Sequence, residues 1–499
     1  MKKSIKYILT LIFIGGIGTS CNEDFLEVYP TEFLSQEQIA EAAANNPDVI
    51  AGSVAGIYTL LFETGTGGTT NHDDFGQKGY DVYSDMLSGD MALSVSTYGW
   101  YRRLTEFQPT QDFTFNNNYM VWRYYYRIIR SANSVIDALG GNDIVPELDA
   151  NKHLLGQAKA LRAYGYFYLA QFFQNGFNPT QAILPIYTDP NQENQPKSAA
   201  SEVYALAVKD LNDAISLLET FNRASKNQVN KHVAKGLLAY VYGAMGDFAN
   251  AKIHANDILI EGGFTLMNDD EVVYNGSGDA VGGFNDANTS GWMWGQDITL
   301  DNGLDLVSWW GQVDVFTYSY QWAGDRKAID QSLFDAIGDE DVRKGQFYTS
   351  AGGYYLIPLN KFYDNGRAIG GQRNVETDYV YMRVAEMYLL HAEAAAQTGD
   401  EGAAKTSLKF LLDQRMPDTS YIDGLSGQNL IDEIYLQTRI ELWGEGKSYL
   451  AMKRNKATVS RGSNHLSNVG VAIPYDDTRL SFLIPQSEIQ NNPFINDQN

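Results

Sequence analysis

The chain has 499 residues, with 37 Lys and Arg against 61 Asp and Glu, for a formal net charge of −24. So acidic a protein repels polyanions, which argues against nucleic acid as a partner and leaves neutral, hydroxyl-rich ligands compatible. Apolar residues make up 44% of the chain, too many for a disordered protein, and the 32 Tyr suit both packed helices and wet binding faces.

Residues 1–20 read as a signal segment. Lys2, Lys3 and Lys6 form its basic start, Ile8 to Ile17 its apolar run, and Gly18, Thr19 and Ser20 the small residues before Cys21. The apolar run is too short to span a bilayer. Cys21 is the single cysteine, so no disulfide forms within the chain. A lone cysteine directly after a small-residue cleavage site is the pattern of a bacterial lipoprotein, with the thiol diacylated. Gly18 stands where the usual lipobox has Leu. Acyl chains add about 0.8 kcal/mol of membrane affinity per buried CH2. Residues 21–35 then read as a tether, and Ser35 with Gln38 as the cap of a first helix.

Apolar spacing predicts helices over 47–63, 119–139, 153–173 and 201–218, with Ser201 as N-cap of the last. Gly65 to Gly79 reads as loop, within which His72-Asp73-Asp74 is a solvated stretch rather than a metal site. Met86 to Arg103 reads as a second irregular stretch carrying Tyr98 and Trp100. Leu238-Ala239, Tyr242, Gly246-Asp247-Phe248 and Ala251 have the spacing of a tetratricopeptide helix pair. Ala392, Gly399-Asp400 and Ala404 echo it within 380–414. Residues 431–454 form the last major helix, broken around Gly444 and Gly446. Residues 481–485 read as a closing strand and 490–493 as a terminal turn. The fold class is therefore mainly α: tetratricopeptide-like helix pairs stacked as a scaffold.

Helices 153–173 and 201–218 make a further pair, and between the pair around 238–251 and the one within 380–414 lie residues 264–378, with little helical pattern and two expected short strands, 354–358 and 361–363. An insertion that long inside a compact protein is functional or disordered, and its aromatics argue against disorder. It holds Trp292, Trp294, Trp309, Trp310 and Trp322, five of the eight tryptophans, on glycine- and aspartate-bearing chain with no sustained period. Rings on irregular chain point to a surface platform that offers flat faces to a ligand. The candidate ligand-binding residues are Tyr98 and Trp100, converging with Trp292, Trp294, Trp310, Tyr320 and Trp322. At least two of the five tryptophans are expected to face outward, with Trp309 turned inward if its neighbour Trp310 is exposed, and Trp122 and Trp443 are expected to pack within helices.

Catalytic motifs are missing. His391 lacks the second His of a zinc protease, Gly446-Lys447-Ser448 lacks the first Gly of a phosphate loop, and no Gly-x-Ser-x-Gly elbow occurs. Asp286, Asp297, Asp301 and Asp305 are calcium-type oxygen ligands without the spacing of a calcium loop, so no cofactor is expected. A glycoside hydrolase, which needs two carboxylates roughly 5–9.5 Å apart, and a helical-repeat assembly scaffold are the alternatives to a binding protein.

Motifs spread over the chain resemble the SusD/RagB family of outer-membrane nutrient-binding lipoproteins. They are Cys21 with Asp24-Phe25-Leu26 and Pro30; residues 158–164 with Phe167 and Leu169; Arg383, Ala385-Glu386, Tyr388-Leu389 and Ala392-Glu393-Ala394; Glu441-Leu442, Glu445-Gly446 and Lys453-Arg454; and Ile484-Pro485, Glu488 and Asn492-Pro493. Ser448 and Ala451 stand where the family commonly has Arg and Asp. The resemblance implies one SusD-like domain over 36–499, with a ligand platform in 264–378. It also implies a lipid anchor at Cys21 on the outer membrane facing outward, no catalysis, and an oligosaccharide or peptide ligand. The implied partner is a TonB-dependent SusC-like transporter.

Overall fold

Two Gly-Asp junctions show how the scaffold is built. Gly246 (φ 78°) and Gly399 (φ 80°) end helices in the left-handed conformation that glycine adopts without a steric penalty. The next residue restarts the chain: Asp247 accepts from Asn250 N–H and Asp400 from Ala403 N–H, both at 3.2 Å, as N-caps. Each junction therefore folds a helix back on its neighbour. Tyr242 fills the first hairpin by stacking on His254, with rings 5.7 Å apart.

This computed structural model describes residue 42 and residues 46–274, 276, 282–350 and 352–499. The signal segment 1–20, Cys21, the tether and the Ser35 cap lie outside the described residues. Among the described residues, no helix is long and apolar enough to cross a membrane.

The larger helices are α1 (Asp48–Leu60), α2 (Gln77–Leu87), α3 (Asn116–Ala138), α4 (Asp149–Phe173), α5 (Ala200–Leu217), α6 (Lys231–Ala244), α7 (Phe248–Glu261), α8 (Val384–Gln397), α9 (Glu401–Leu412), α10 (Gly427–Glu441) and α11 (Ser448–Arg454). From α3 to α9 each helix packs on the next, which is the stacked arrangement expected from the helix-pair signal. Helices α7 and α8 touch directly although over a hundred residues separate them in sequence. The insertion thus leaves and re-enters an unbroken stack.

Small antiparallel pairs tie the loops down. Strand β1 (Met91–Ser96) pairs with β5 (Asp325–Ile329), from Met91↔Ile329 to Ser96↔Asp325. Strand β4 (Trp292–Gln296) pairs with β6 (Tyr379–Arg383), which leads into α8. Strands β2 (Ala182–Pro185) and β3 (Lys197–Ala199) close the loop before α5, and β7 (Val459–Ser460) with β8 (Ala472–Ile473) the loop after α11.

Several local expectations change. Met86 to Arg103 is not irregular: α2 runs to Leu87 and β1 follows. Every residue of α2 is buried, so it shows no polar face for periodicity to detect. Its polar side chains pair inside instead, Lys78 and Gln77 each 2.9 Å from Asp81. Helix α5 begins at Ala200, ahead of Ser201. Residues 354–358 and 361–363 form no strand: turns cover 353–356 and 359–361, with Leu356 at φ 62°. The segment 481–485 has no strand partner, and its Phe482 N–H donates to Phe172 C=O at the end of α4. A short helix, Gln486–Asn491, takes up the first half of the expected terminal turn, and Trp443 sits in the turn after α10.

A buried ion cluster joins the insertion to the stack. Glu441, the last residue of α10, accepts from Arg383 (2.8 Å), Arg415 (3.0 Å) and Arg343 (3.2 Å). Glu445 accepts from Arg383 (2.7 Å) and Lys361 (3.0 Å). Arg343 and Lys361 come from the insertion, Arg383 and Arg415 from the stack. Burial alone would raise the Glu441 carboxyl, but the Arg415, Arg383 and Arg343 charges prevail and hold it well below its ordinary 4.5. These ion pairs therefore contribute fully above pH 4.5 and are lost as pH falls through the lower native value. Glu441→Ala removes the carboxylate shared by three buried guanidinium groups; Arg383 keeps Glu445 and Arg343 keeps Asp341, while Arg415 loses the one ion pair it has among the described residues, and the change is expected to cost about 3–5 kcal/mol in urea unfolding.

Candidate ligand-binding site

Two loops meet beside the β1–β5 pair. The chain leaving β1 at Ser96 carries Tyr98 and Trp100, and the chain entering β5 at Asp325 carries Tyr320 and Trp322. Gly324 (φ 120°) makes the approach possible: a Cβ there would stand 2.4 Å from the Thr97 hydroxyl. Asp325 is buried and accepts backbone N–H groups from Tyr98 (2.8 Å), Gly99 (3.4 Å) and Trp100 (3.0 Å). One carboxylate thus fixes the loop while the rings stay at the surface.

The rings form one cluster. Tyr98 and Trp100 stand 5.5 and 6.0 Å from Tyr320, both edge-on. His72 stacks on Trp100, centroids 5.0 Å apart and planes 2° apart, and its Nδ1 is 2.6 Å from the Tyr320 hydroxyl. Tyr98 is 61% exposed, Trp100 and His72 are half-buried, and Tyr320 closes the floor. Of the five insertion residues expected to converge with Tyr98 and Trp100, Tyr320 is the one whose ring meets them. Sequence reasoning misses His72, because the stretch around it reads as solvated. In the structure Asp73 and Asp74 are buried; Asp74 accepts from Gly67 N–H (2.7 Å) and Thr69 N–H (2.9 Å), and this turn holds His72 in place.

The cluster borders an open cleft of about 740 Å³. Asn71, Arg102, Arg103, Asn116 and Asn117 line it with the aromatics, and no sequence signal points to these five. Rings that pack on sugar C–H faces, beside amides and guanidiniums for hydroxyls, are a suitable lining for a polar, ring-shaped ligand. Under the cleft, Tyr101 holds φ 66° with its ring 5.0 Å from the Lys327 ammonium. Burial pushes the Lys327 ammonium down to about 7, opposed by the Asp325 and Asp73 charges. Burial likewise pushes Asp73 up to about 6, opposed mainly by the hydrogen bond from the Tyr83 hydroxyl.

Three sequence candidates are corrected. Trp292, Trp294 and Trp310 are fully buried and offer no face to solvent. Each indole N–H donates to a loop carbonyl, of Gly283 (2.6 Å), Asn227 (2.9 Å) and Thr377 (2.7 Å) respectively. Trp292 and Trp294 lie on β4 and Trp310 begins the short helix Trp310–Val313, so one core is filled from two elements that share no common period. Gly295 lets the Trp292 ring fold back onto the chain, where a Cβ would stand 2.5 Å from it. Trp309 is buried together with its neighbour Trp310, so the expected in–out alternation of the two does not occur. Trp322 alone among the five is exposed, at 38%, and its ring contact is Tyr318 at 5.7 Å rather than Tyr98 or Trp100. Among the described residues, no group of three or more His, Cys, Asp or Glu is placed to hold a metal ion; Asp305 instead pairs with Arg373 at 2.9 Å.

A stack of tetratricopeptide-like helix pairs with an aromatic cleft on its loops defines a helical-repeat binding protein. Comparison with known proteins gives the family. Residues 30–242 match the SusD-like model described as starch-binding, associating with the outer membrane, and residues 312–499 match the SusD family model. The chain belongs to the SusD/RagB family. That description is one of binding, not of a reaction, in keeping with a chain that is not an enzyme. A SusD-like carbohydrate-binding protein from Bacteroides vulgatus is 25% identical with a TM-score of 0.72, over 90% of this chain and 96% of that one. The surface glycan-binding protein A of Bacteroides thetaiotaomicron, solved with laminarihexaose, shares the fold at 17% identity and a TM-score of 0.65, over 91% of this chain and 99% of that one. SusD-like protein P25 of Formosa agariphila is 23% identical over 186 residues, which is 37% of this chain and 32% of that relative's length.

The burial pattern makes a prediction. Trp292→Ala and Trp310→Ala each empty a filled core site and are expected to lower unfolding free energy by about 3–5 kcal/mol. Trp322→Ala should stay within about 1 kcal/mol of wild type, with chemical denaturation as the measurement.

Proposed function

We propose that this protein is a cell-surface nutrient-binding lipoprotein. It captures oligosaccharide at the Tyr98–Trp100–Tyr320 cleft and delivers it to a TonB-dependent transporter in the outer membrane. The observation that carries the reading is the aromatic cluster itself: exposed Tyr98 and half-buried Trp100 from one loop over Tyr320 from a distant one, held by Asp325 and backed by His72. A helical-repeat scaffold that gripped a protein segment would have no need of such a surface. Membership of a family described as starch-binding and outer-membrane-associated supports the ligand class and the location. Trp322 and Tyr318 add a neighbouring aromatic patch. The lipoprotein pattern around Cys21 supports surface attachment.

The test is a glycan array with peptides alongside, followed by calorimetry on the best ligand. Trp100→Ala and Tyr98→Ala are each expected to weaken binding by about 2 kcal/mol, roughly thirtyfold, with unchanged melting. Retained affinity in both variants, or hits among peptides alone, contradicts the reading. In cells, Cys21→Ser is expected to abolish fatty-acid labelling and move the protein out of the membrane fraction.

A further inference from the structure

A second depression runs along the same helix that borders the aromatic cleft. Helix α3 carries Asn116, which lines the cleft, and then Tyr119, Arg123, Tyr126, Arg127 and Arg130, which line a separate groove of about 990 Å³. These positions fall three and four apart, so they form one stripe on the helix surface. The opposite wall is the loop between β2 and β3, which contributes the amides Asn191, Gln192 and Asn194.

The charge of this groove runs against that of the chain. The net charge is −24, yet three arginines stand on one helix face, with Arg127 and Arg130 exposed. Among the described residues none of the three forms an ion pair. Arg123 packs its stem over Gly68. Two carboxylates do line the groove, and both are engaged by neutral donors. Glu488 accepts from the Trp122 indole N–H (3.3 Å) and the Asn492 amide (2.9 Å), and Asp189 accepts from Asn191 N–H (2.7 Å). Like charges at this helical spacing repel; Glu488 and Asp189 leave part of the groove negative, but among the described residues neither forms an ion pair with Arg127 or Arg130. Guanidinium groups beside tyrosine rings and side-chain amides suit a ligand with flat apolar faces, hydroxyls and discrete anionic groups.

We propose that the groove between α3 and the 187–194 loop is a second saccharide subsite, selective for oligosaccharides that carry carboxylate or sulfate groups. Arg127 and Arg130 bind the anion, and Tyr119 and Tyr126 take the ring faces. The overall negative charge restricts the ligand to a short chain, since a long polyanion is repelled. This inference rests on the reading of the protein as a glycan binder, and it adds the charge class of the glycan.

Calorimetry on the full folded domain tests it with four probes: laminarihexaose, an oligogalacturonate, a sulfated oligogalactan and a poly-glutamate peptide. The proteins are wild type, the double variant Arg127→Gln/Arg130→Gln, and Trp100→Ala. Both arginines are exposed and unpaired, so the double variant is expected to melt as wild type does. Wild type is expected to bind at least one acidic oligosaccharide, and the double variant to bind it about tenfold or more weakly with a flatter dependence on salt. The oligogalacturonate and sulfated arms separate carboxylate from sulfate as the recognised group. Equal affinity of wild type and double variant for acidic oligosaccharides overturns the proposal, as does binding of poly-glutamate without either acidic glycan. Neutral glycan binding that depends on Trp100, with no acidic glycan bound, defeats this inference and leaves the proposed function standing. No glycan binding by wild type defeats both.

Discussion

The fold depends on one buried charge cluster. Glu441 and Glu445 sit at and just past the end of α10, within a turn of one another, and draw in Arg343, Lys361, Arg383 and Arg415. Such groups are costly to bury, and they are tolerated only because nearly every donor meets an acceptor. Lys361 also donates to the Glu441 and Trp443 carbonyls, and Arg383 to the Glu441 carbonyl. The cations come from both the insertion and the helix stack, so this cluster fixes where the insertion sits. Arg383 also ends β6, whose partner β4 carries Trp292 and Trp294. The charge cluster and the tryptophan core are therefore adjacent parts of one anchoring region.

That arrangement separates the two jobs of the aromatic residues. Inside the insertion, Trp292, Trp294, Trp309 and Trp310 fill the space between loops and stack. At its edge, Tyr320 and Trp322 precede β5, whose pairing with β1 carries Tyr98 and Trp100 alongside. A surface built this way is rigid where it matters. The Tyr98–Trp100 loop hangs from the Asp325 carboxylate, and the ring of Trp100 is held against His72. Little ordering of the loop is left for a ligand to bring about, which favours affinity.

Much of the scaffold is legible in the sequence, for a physical reason. Helices with one buried face show a period, and Gly246-Asp247 and Gly399-Asp400 mark the turns between them. The Glu441–Glu445 spacing is also visible as a motif, although its partners Arg343 and Lys361 are not, since they come from irregular chain. The site is half legible. Tyr98, Trp100 and Tyr320 stand out in the sequence, and they converge. Irregular spacing points Trp292, Trp294 and Trp310 to the surface, and there the inference fails. Irregular chain can be buried when each polar group finds a partner, as their three indole N–H groups do. Helix α2 misleads in the same way, with Lys78, Asp81 and Asp85 inside. His72 carries no signal, since its role depends on a stack with a residue brought in by the strand pairing.

The central claim is that the primary ligand surface is the pair of loops joined by β1 and β5, and not the α6–α7 helix pair. Hydrogen exchange with and without a bound oligosaccharide tests it most directly. The account predicts slower exchange in peptides covering 97–103 and 318–324, with α6 and α7 unchanged. Protection confined to the helix pairs, with those two loops exchanging as before, would contradict it.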